Sequence, residues 1–87
     1  MPEISRFLGI IIYMYFKDHN PPHFHVKYEN YEASINIKDL KIINGNLPPR
    51  IFGFVVEWSM IHKEELLDNC RVMIDLKSPK KIQPLIS

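Results

Sequence analysis

"HFHVKYENYEASINI", His23 to Ile37, alternates apolar and polar residues on both sides of Glu29-Asn30. Two period-two runs separated by a pair of turn-forming residues predict an antiparallel hairpin of strands His23–Tyr28 and Tyr31–Ile37. A two-residue loop pairs Tyr28 with Tyr31, and every other pair follows from that one. Val26 then opposes Ala33 and Phe24 opposes Ile35 on one face. On the other face Lys27 opposes Glu32, His25 opposes Ser34 and His23 opposes Asn36. One register thus separates the apolar pairs from an opposite-charge pair and two polar pairs.

Working outward, Phe7 to Phe16 reads as a single first strand. Leu8, Ile10, Ile12, Met14 and Phe16 share one of its faces, and Phe7, Ile11, Tyr13 and Tyr15 share the other. Both are apolar, which implies a strand covered on both sides. After the hairpin a shorter strand is expected at Leu40–Ile43, ended by Asn44-Gly45. Pro48-Pro49 opens a helix that runs to about Leu76 and stops before Pro79. The closing "KKIQPLI" reads as a short edge strand or an extended tail, because Pro84 cannot sit in a central strand. The predicted fold is α+β. An antiparallel sheet of three or four strands packs against one long C-terminal helix, with a short terminal edge segment and residues 1–87 in a single domain.

On that helix Glu57, Glu64, Asp68 and Asp75 fall in one narrow stripe, and most of the remaining circumference is apolar. A helix resting on one sheet needs an apolar arc of only about 100–140°. The excess between Ile51 and Ile61 implies that the sheet wraps around the helix or that a second chain covers it. Phe52, Val56 and Met60 are the expected partner surface, for a homodimer or a small cognate protein. His62 and Asn69 lie in the same arc, either as a buried polar pair bonded to each other or as contributors to a histidine site. Trp58 reads as a core residue.

Composition narrows the function classes. Eighty-seven residues support one core, and a chain of this size buries only about 60–65% of the surface its unfolded form exposes. A net charge of +1 gives no overall electrostatic footprint for nucleic acid or an anionic membrane, so such a partner must meet a local patch. Lys77, Lys80 and Lys81 form too small a cluster to supply one. The single cysteine, Cys70, excludes an internal disulfide and a Cys-rich zinc site, and reads as a buried thiol in a reducing compartment. The apolar run "FLGIIIYMYF" is far shorter than the roughly 20 residues of a membrane span. Its flanks, Glu3 before and Lys17-Asp18-His19 after, do not suit a signal peptide. The expected location is cytoplasmic, with no membrane partner.

The chemistry-bearing stretch is "HNPPHFHV", His19 to Val26. His23 and His25 share one strand face about 6.5–7 Å apart, and His19 lies before the rigid Pro21-Pro22. One reading is zinc held by His19, His23 and His25, with water or Asp18 as the fourth ligand. A second is metal-free acid/base chemistry on RNA. One imidazole takes the 2′-hydroxyl proton, another protonates the leaving oxygen, and Lys27, Arg6 or Arg50 stabilises the charged phosphorane. A third is structural: the prolines stiffen the entry to the strand, and the histidines bond Ser34, Asn36 or backbone carbonyls.

"MPEISRF", "DHNPPHFHVKY", "LPPR", "EW" with "HKEELL", and "KIQPL" occur in that order along the chain. Together they resemble the small bacterial proteins of domain-of-unknown-function family 4160, over essentially the whole chain, with the histidine segment the most specific part. The resemblance implies a context rather than a reaction. Members are often encoded beside a second small protein, and such pairs have been regarded as toxin–antitoxin modules with this family as the toxin. It therefore implies a toxin-like protein with an antitoxin-like partner, and RNA as the commonest kind of target. His23 and His25 are the candidate catalytic residues, with Arg6, Lys27 and Arg50 as candidate cations and His19, Asp18, Ser34 and Asn36 as binding residues; no cofactor is expected on this reading. The competing expectation is a non-catalytic metal- or ligand-binding module that dimerises through its helix, with zinc as the alternative cofactor. Two positions depart from the family pattern. Cys70 follows "LLDN" where a tryptophan is expected, and Gly53 stands inside the helix at a cost of up to about 1 kcal/mol against alanine.

Overall fold

The computed structural model describes residues 2–16 and 20–85. Its central hairpin is β3 (His23–Tyr28) and β4 (Tyr31–Asn36). All six expected pairs are present, from His23 opposite Asn36 to Tyr28 opposite Tyr31. Glu29 takes a positive φ of 53° at the turn. The alternation of burial follows the pairing: Phe24, Val26, Ala33 and Ile35 are buried, while Lys27 and Glu32 are exposed.

The remaining strands extend this hairpin on both sides. β1 (Glu3–Phe7) and β2 (Ile10–Tyr13) lie on one side and β5 (Ile42–Gly45) on the other. The described residues form one five-stranded antiparallel sheet in the order β1-β2-β3-β4-β5. The expected strand Phe7–Phe16 is therefore shorter, only Ile10–Tyr13, and a further strand that was not expected, Glu3–Phe7, precedes it across a turn at Leu8-Gly9. Both linking residues have positive φ, 52° and 76°, the backbone of a primed two-residue turn whose twist matches the flanking strands. This turn adds the strand that the expected three or four lacked.

The expected single helix is likewise two, α1 (Pro49–Ile61) and α2 (Lys63–Ile74), joined at His62. The His62 backbone, at φ −112° and ψ 23°, leaves helical geometry. Its N–H still donates to Trp58 O at 3.1 Å, and its carbonyl accepts from Leu66 N at 3.0 Å. The ring is held from both sides, 5.6 Å from the Trp58 ring and with Nδ1 2.6 Å from Glu65 Oε1. Two residues past the end of α2, Leu76 takes a φ of 62°. There Leu76 N–H bonds Met73 O and Lys77 N–H bonds Val72 O, the paired bonds of a Schellman cap built without glycine.

Both helices cover one face of the sheet. Ile51, Val55, Trp58, Leu66 and Met73 join Phe24, Val26, Ala33, Ile35 and Ile37 in a single core. Trp58 is fully buried, with its ring 5.5 Å from that of Phe7 and 6.0 Å from that of Phe24. Burying side chains of this size stabilises the fold by about 2–3 kcal/mol each. Residues after α2 form the extended tail, not a strand. Ile82 N–H donates to Ile4 O at 3.0 Å, laying the tail along the outer edge of β1. Buried Asn69 clamps Lys80 with two bonds of 2.9 Å, one to its carbonyl and one from its N–H. Trp58 Nε1 donates to Gln83 O at 2.8 Å. Asn69 and His62 are thus not partners of each other.

The acidic stripe is exposed at Glu57, Glu64, Asp68 and Asp75, and Asp68 pairs with Arg71. The sheet does not wrap the apolar excess of α1. Met60 remains 68% and Ile61 63% exposed.

Candidate site on the open face of the sheet

The face away from the helices carries the polar half of each strand. Register places Glu3, Tyr13, His25, Ser34 and Asn44 in one row across it. His23 and Asn36 lie on one side of this row, and Arg6, Ile11, Lys27 and Glu32 on the other. The His23 and His25 rings are 5.0 Å apart between centroids at 71°. His25 stacks on Tyr13 at 5.3 Å and 15°, and Tyr15 meets it edge-on at 4.6 Å. Tyr13 and Tyr15 close the group at 5.6 Å and 87°. The expected cover on both sides is thus absent from this face, where Tyr15 is 42% exposed and only Tyr13, at 5%, is buried among its ring neighbours. Burial, with smaller contributions from the Glu32 carboxylate and Tyr15, holds the Tyr13 hydroxyl above its usual pKa.

Each imidazole is oriented through Nδ1. His23 Nδ1 lies 2.7 Å from Pro21 O. A carbonyl only accepts, so Nδ1 carries the proton and the basic lone pair of the neutral ring is on Nε2. His25 Nδ1 lies 3.2 Å from Ser34 Oγ. Asn36 is engaged elsewhere: its Oδ1 accepts from Lys38 N at 2.8 Å and shapes the turn toward β5. Beside His25 a shallow depression of about 200 Å³ is lined by Tyr13, Glu32, Ser34, Asn44 and Gly45. Behind His23, α2 presents Cys70, half-buried, whose Sγ lies 3.9 Å from His23 O.

The candidate cations do not converge. Lys27 shares the histidine face and lies 3.9 Å from the Glu32 carboxylate. Arg6 is on the same face two strands away, paired with Glu3 at 2.7 Å; that bond raises the Arg6 pKa and lowers that of Glu3. Arg50 stands in the helical layer behind the sheet, with its guanidinium 5.7 Å from the Phe54 ring centre. His19 and Asp18 lie outside the described residues. Among the described residues no three of His, Cys, Asp and Glu gather in a metal-binding group.

Sequence reading identified the imidazoles and Ser34 but not the tyrosines. The available signal was Tyr13 and Tyr15 at period two in an apolar run, in the row that pairing brings beside His25. As arranged, the face offers two adjacent imidazoles, the exposed ring of Tyr15 and one lysine to a ligand approaching from solvent.

Residues 9–70 match one family model, described as Domain of unknown function (DUF4160). No curated protein matches the chain, and no solved structure does. Among the described residues no helix is long and apolar enough to cross a membrane.

Proposed function

The chain belongs to the DUF4160 family, whose description names no reaction, and from the geometry of the open face we propose that it is the toxin-like member of a two-protein module acting on RNA. One observation carries the reading: two imidazoles 5.0 Å apart, framed by Tyr13 and Tyr15 on a sheet face that the helices leave open. In this proposal an unstacked base lies on the ring of Tyr15, the exposed tyrosine of the group, as single-stranded RNA stacks on exposed rings. His23, with its basic lone pair on Nε2, takes the proton of a ribose 2′-hydroxyl. The 2′-oxygen attacks phosphorus, the bond to the 5′-oxygen breaks, and protonated His25 gives that oxygen its proton. Lys27 stabilises the charge on the phosphorane. The products are a 2′,3′-cyclic phosphate and a 5′-hydroxyl. An antitoxin-like cognate protein is the proposed inhibitor.

Single-stranded RNA incubated with the purified protein in a metal chelator should yield those ends, while DNA of the same sequence stays intact. His23→Ala and His25→Ala should each lower the rate at least about 100-fold, with both variants folded by circular dichroism. Induced expression should arrest bacterial growth for wild type and not for His23→Ala/His25→Ala. Arrest without RNA cleavage would retain a toxin and discard RNA as its target. Neither arrest nor cleavage would discard both.

A second reading is favoured by the bonds at each Nδ1 and by the ion pairs that hold Lys27 and Arg6. These suit a non-catalytic module presenting the histidine face to a small ligand or a metal such as zinc. Its signature is stoichiometric zinc or nickel in untagged protein, lost in His23→Ala/His25→Ala.

A further inference from the structure

We infer that α1 is the contact surface of a symmetric dimer, in which two copies of this helix lie antiparallel across Gly53. The surface is separate from the histidine face, and the inference holds whichever chemistry that face performs. Ile51, Val55, Trp58 and Ser59 turn inward and are buried. Phe52, expected on the partner surface, packs against the core from the side of the helix; on the outward side Val56 is half-buried, while Pro49, Gly53 and Met60 are exposed. A Cβ built on Gly53 would find nothing within 4 Å. The residue leaves a notch in an apolar stripe, where a second helix can approach at about 8 Å between axes.

What selects a second copy as the occupant is that the stripe is complementary to itself. A two-fold axis that reverses helix direction brings each flank of α1 against the same flank of its partner. Arg50 and Glu57 stand two turns apart on one flank, both exposed. At that spacing they do not reach each other within one helix. Placed under such an axis, Arg50 of each protomer meets Glu57 of the other. The same axis seats Val56 in the partner's Gly53 notch and sets Pro49 against Met60. The charge pair centres the axis at about position 53.5 and the two shape pairs at about 54.5, one helical step of about 1.5 Å apart, a mismatch that the long Arg50 and Glu57 side chains take up. Charge and shape therefore choose one common register. Two helices of 13 residues make a contact at the small end of specific interfaces, so the equilibrium belongs in the micromolar range.

Sedimentation equilibrium of the untagged chain over about 1–300 µM, bracketing that range, tests the inference. Wild type should pass from monomer to dimer within it. Glu57→Arg sets two like-charge pairs across the axis and should weaken association at least about tenfold, as should Arg50→Glu. The double variant Arg50→Glu/Glu57→Arg exchanges the signs and should return the dissociation constant to within about threefold of wild type. Gly53→Leu should fill the notch and abolish the dimer without changing the circular dichroism of the monomer. A chain that stays monomeric throughout overturns the inference. So does a dimer indifferent to Glu57→Arg, or a double variant as weak as its parents. A cognate protein that needs the same charges, met by a chain that never pairs with itself, assigns the surface to that protein instead.

Discussion

At the residue scale, Tyr13 shows how a polar side chain is folded into the open face. Its ring packs against both His25 and Tyr15, and its hydroxyl pKa is raised, first by burial and then by Glu32 and Tyr15. A raised acid pKa means that above about pH 10, the ordinary tyrosine value, the folded state holds a proton that the unfolded chain releases. The stability contributed by neutral Tyr13 is complete below that pH and is lost as pH rises through the folded pKa. Urea midpoints measured from pH 9 to 11 should fall for wild type and fall less steeply for Tyr13→Phe. Equal slopes would mean that Tyr13 titrates as it does in the unfolded chain. The histidines were legible as residues, because two on the polar side of a strand exceed what that face needs. Their aromatic neighbours were not. Tyr13 and Tyr15 meet His25 only through the β2–β3 pairing, which spans a loop whose course the sequence does not specify.

Among the elements, legibility followed the strength of local signals. The β3–β4 register was readable pair by pair because a two-residue loop leaves no freedom and a one-residue slip would bury Lys27. The β1–β2 turn was hidden because Leu8 occupies a positive-φ position usually given to Asn, Asp or Gly, so only Gly9 marked the break. The joint at His62 had no Gly or Pro to announce it; its neighbours Trp58 and Glu65 hold the ring in three dimensions. Gly45, which closes β5, makes a demand that sequence reading took only as an end signal. It has φ 79°, and an added Cβ would lie 2.0 Å from Glu32 O. Backbone cannot give way there, so Gly45→Ala should destabilise by at least about 2 kcal/mol in chemical denaturation. Gly53→Ala meets no neighbour and should stabilise the monomer by up to about 1 kcal/mol. Similar costs at both glycines would refute the distinction.

For the whole molecule, the tail decides how a short chain closes its core. Ile82 is buried at 4% exposure, and Asn69, Trp58 and Ile4 hold three successive points of the tail by its backbone. Asn69→Ala would leave the Lys80 N–H and carbonyl without their side-chain partner. The expected loss is about 2–3 kcal/mol, measured as a shift of the urea midpoint with the slope unchanged. A change within a few tenths of a kcal/mol would show that the tail contributes little to the fold. The composition did foretell that 87 residues would need something beyond a minimal core, but not which polar side chain would supply it.

The bond from Ile82 to Ile4 has a topological consequence. Residues from the two ends of the described chain lie side by side, so the backbone is nearly a ring. A flexible linker from the tail to β1, with the chain reopened between Leu8 and Gly9, gives a circular permutant with the same sheet order and an intact histidine hairpin. In that permutant β1 no longer leads into β2 through a tight turn but arrives last, carried in by the tail. The order of assembly is thereby separated from the architecture it produces.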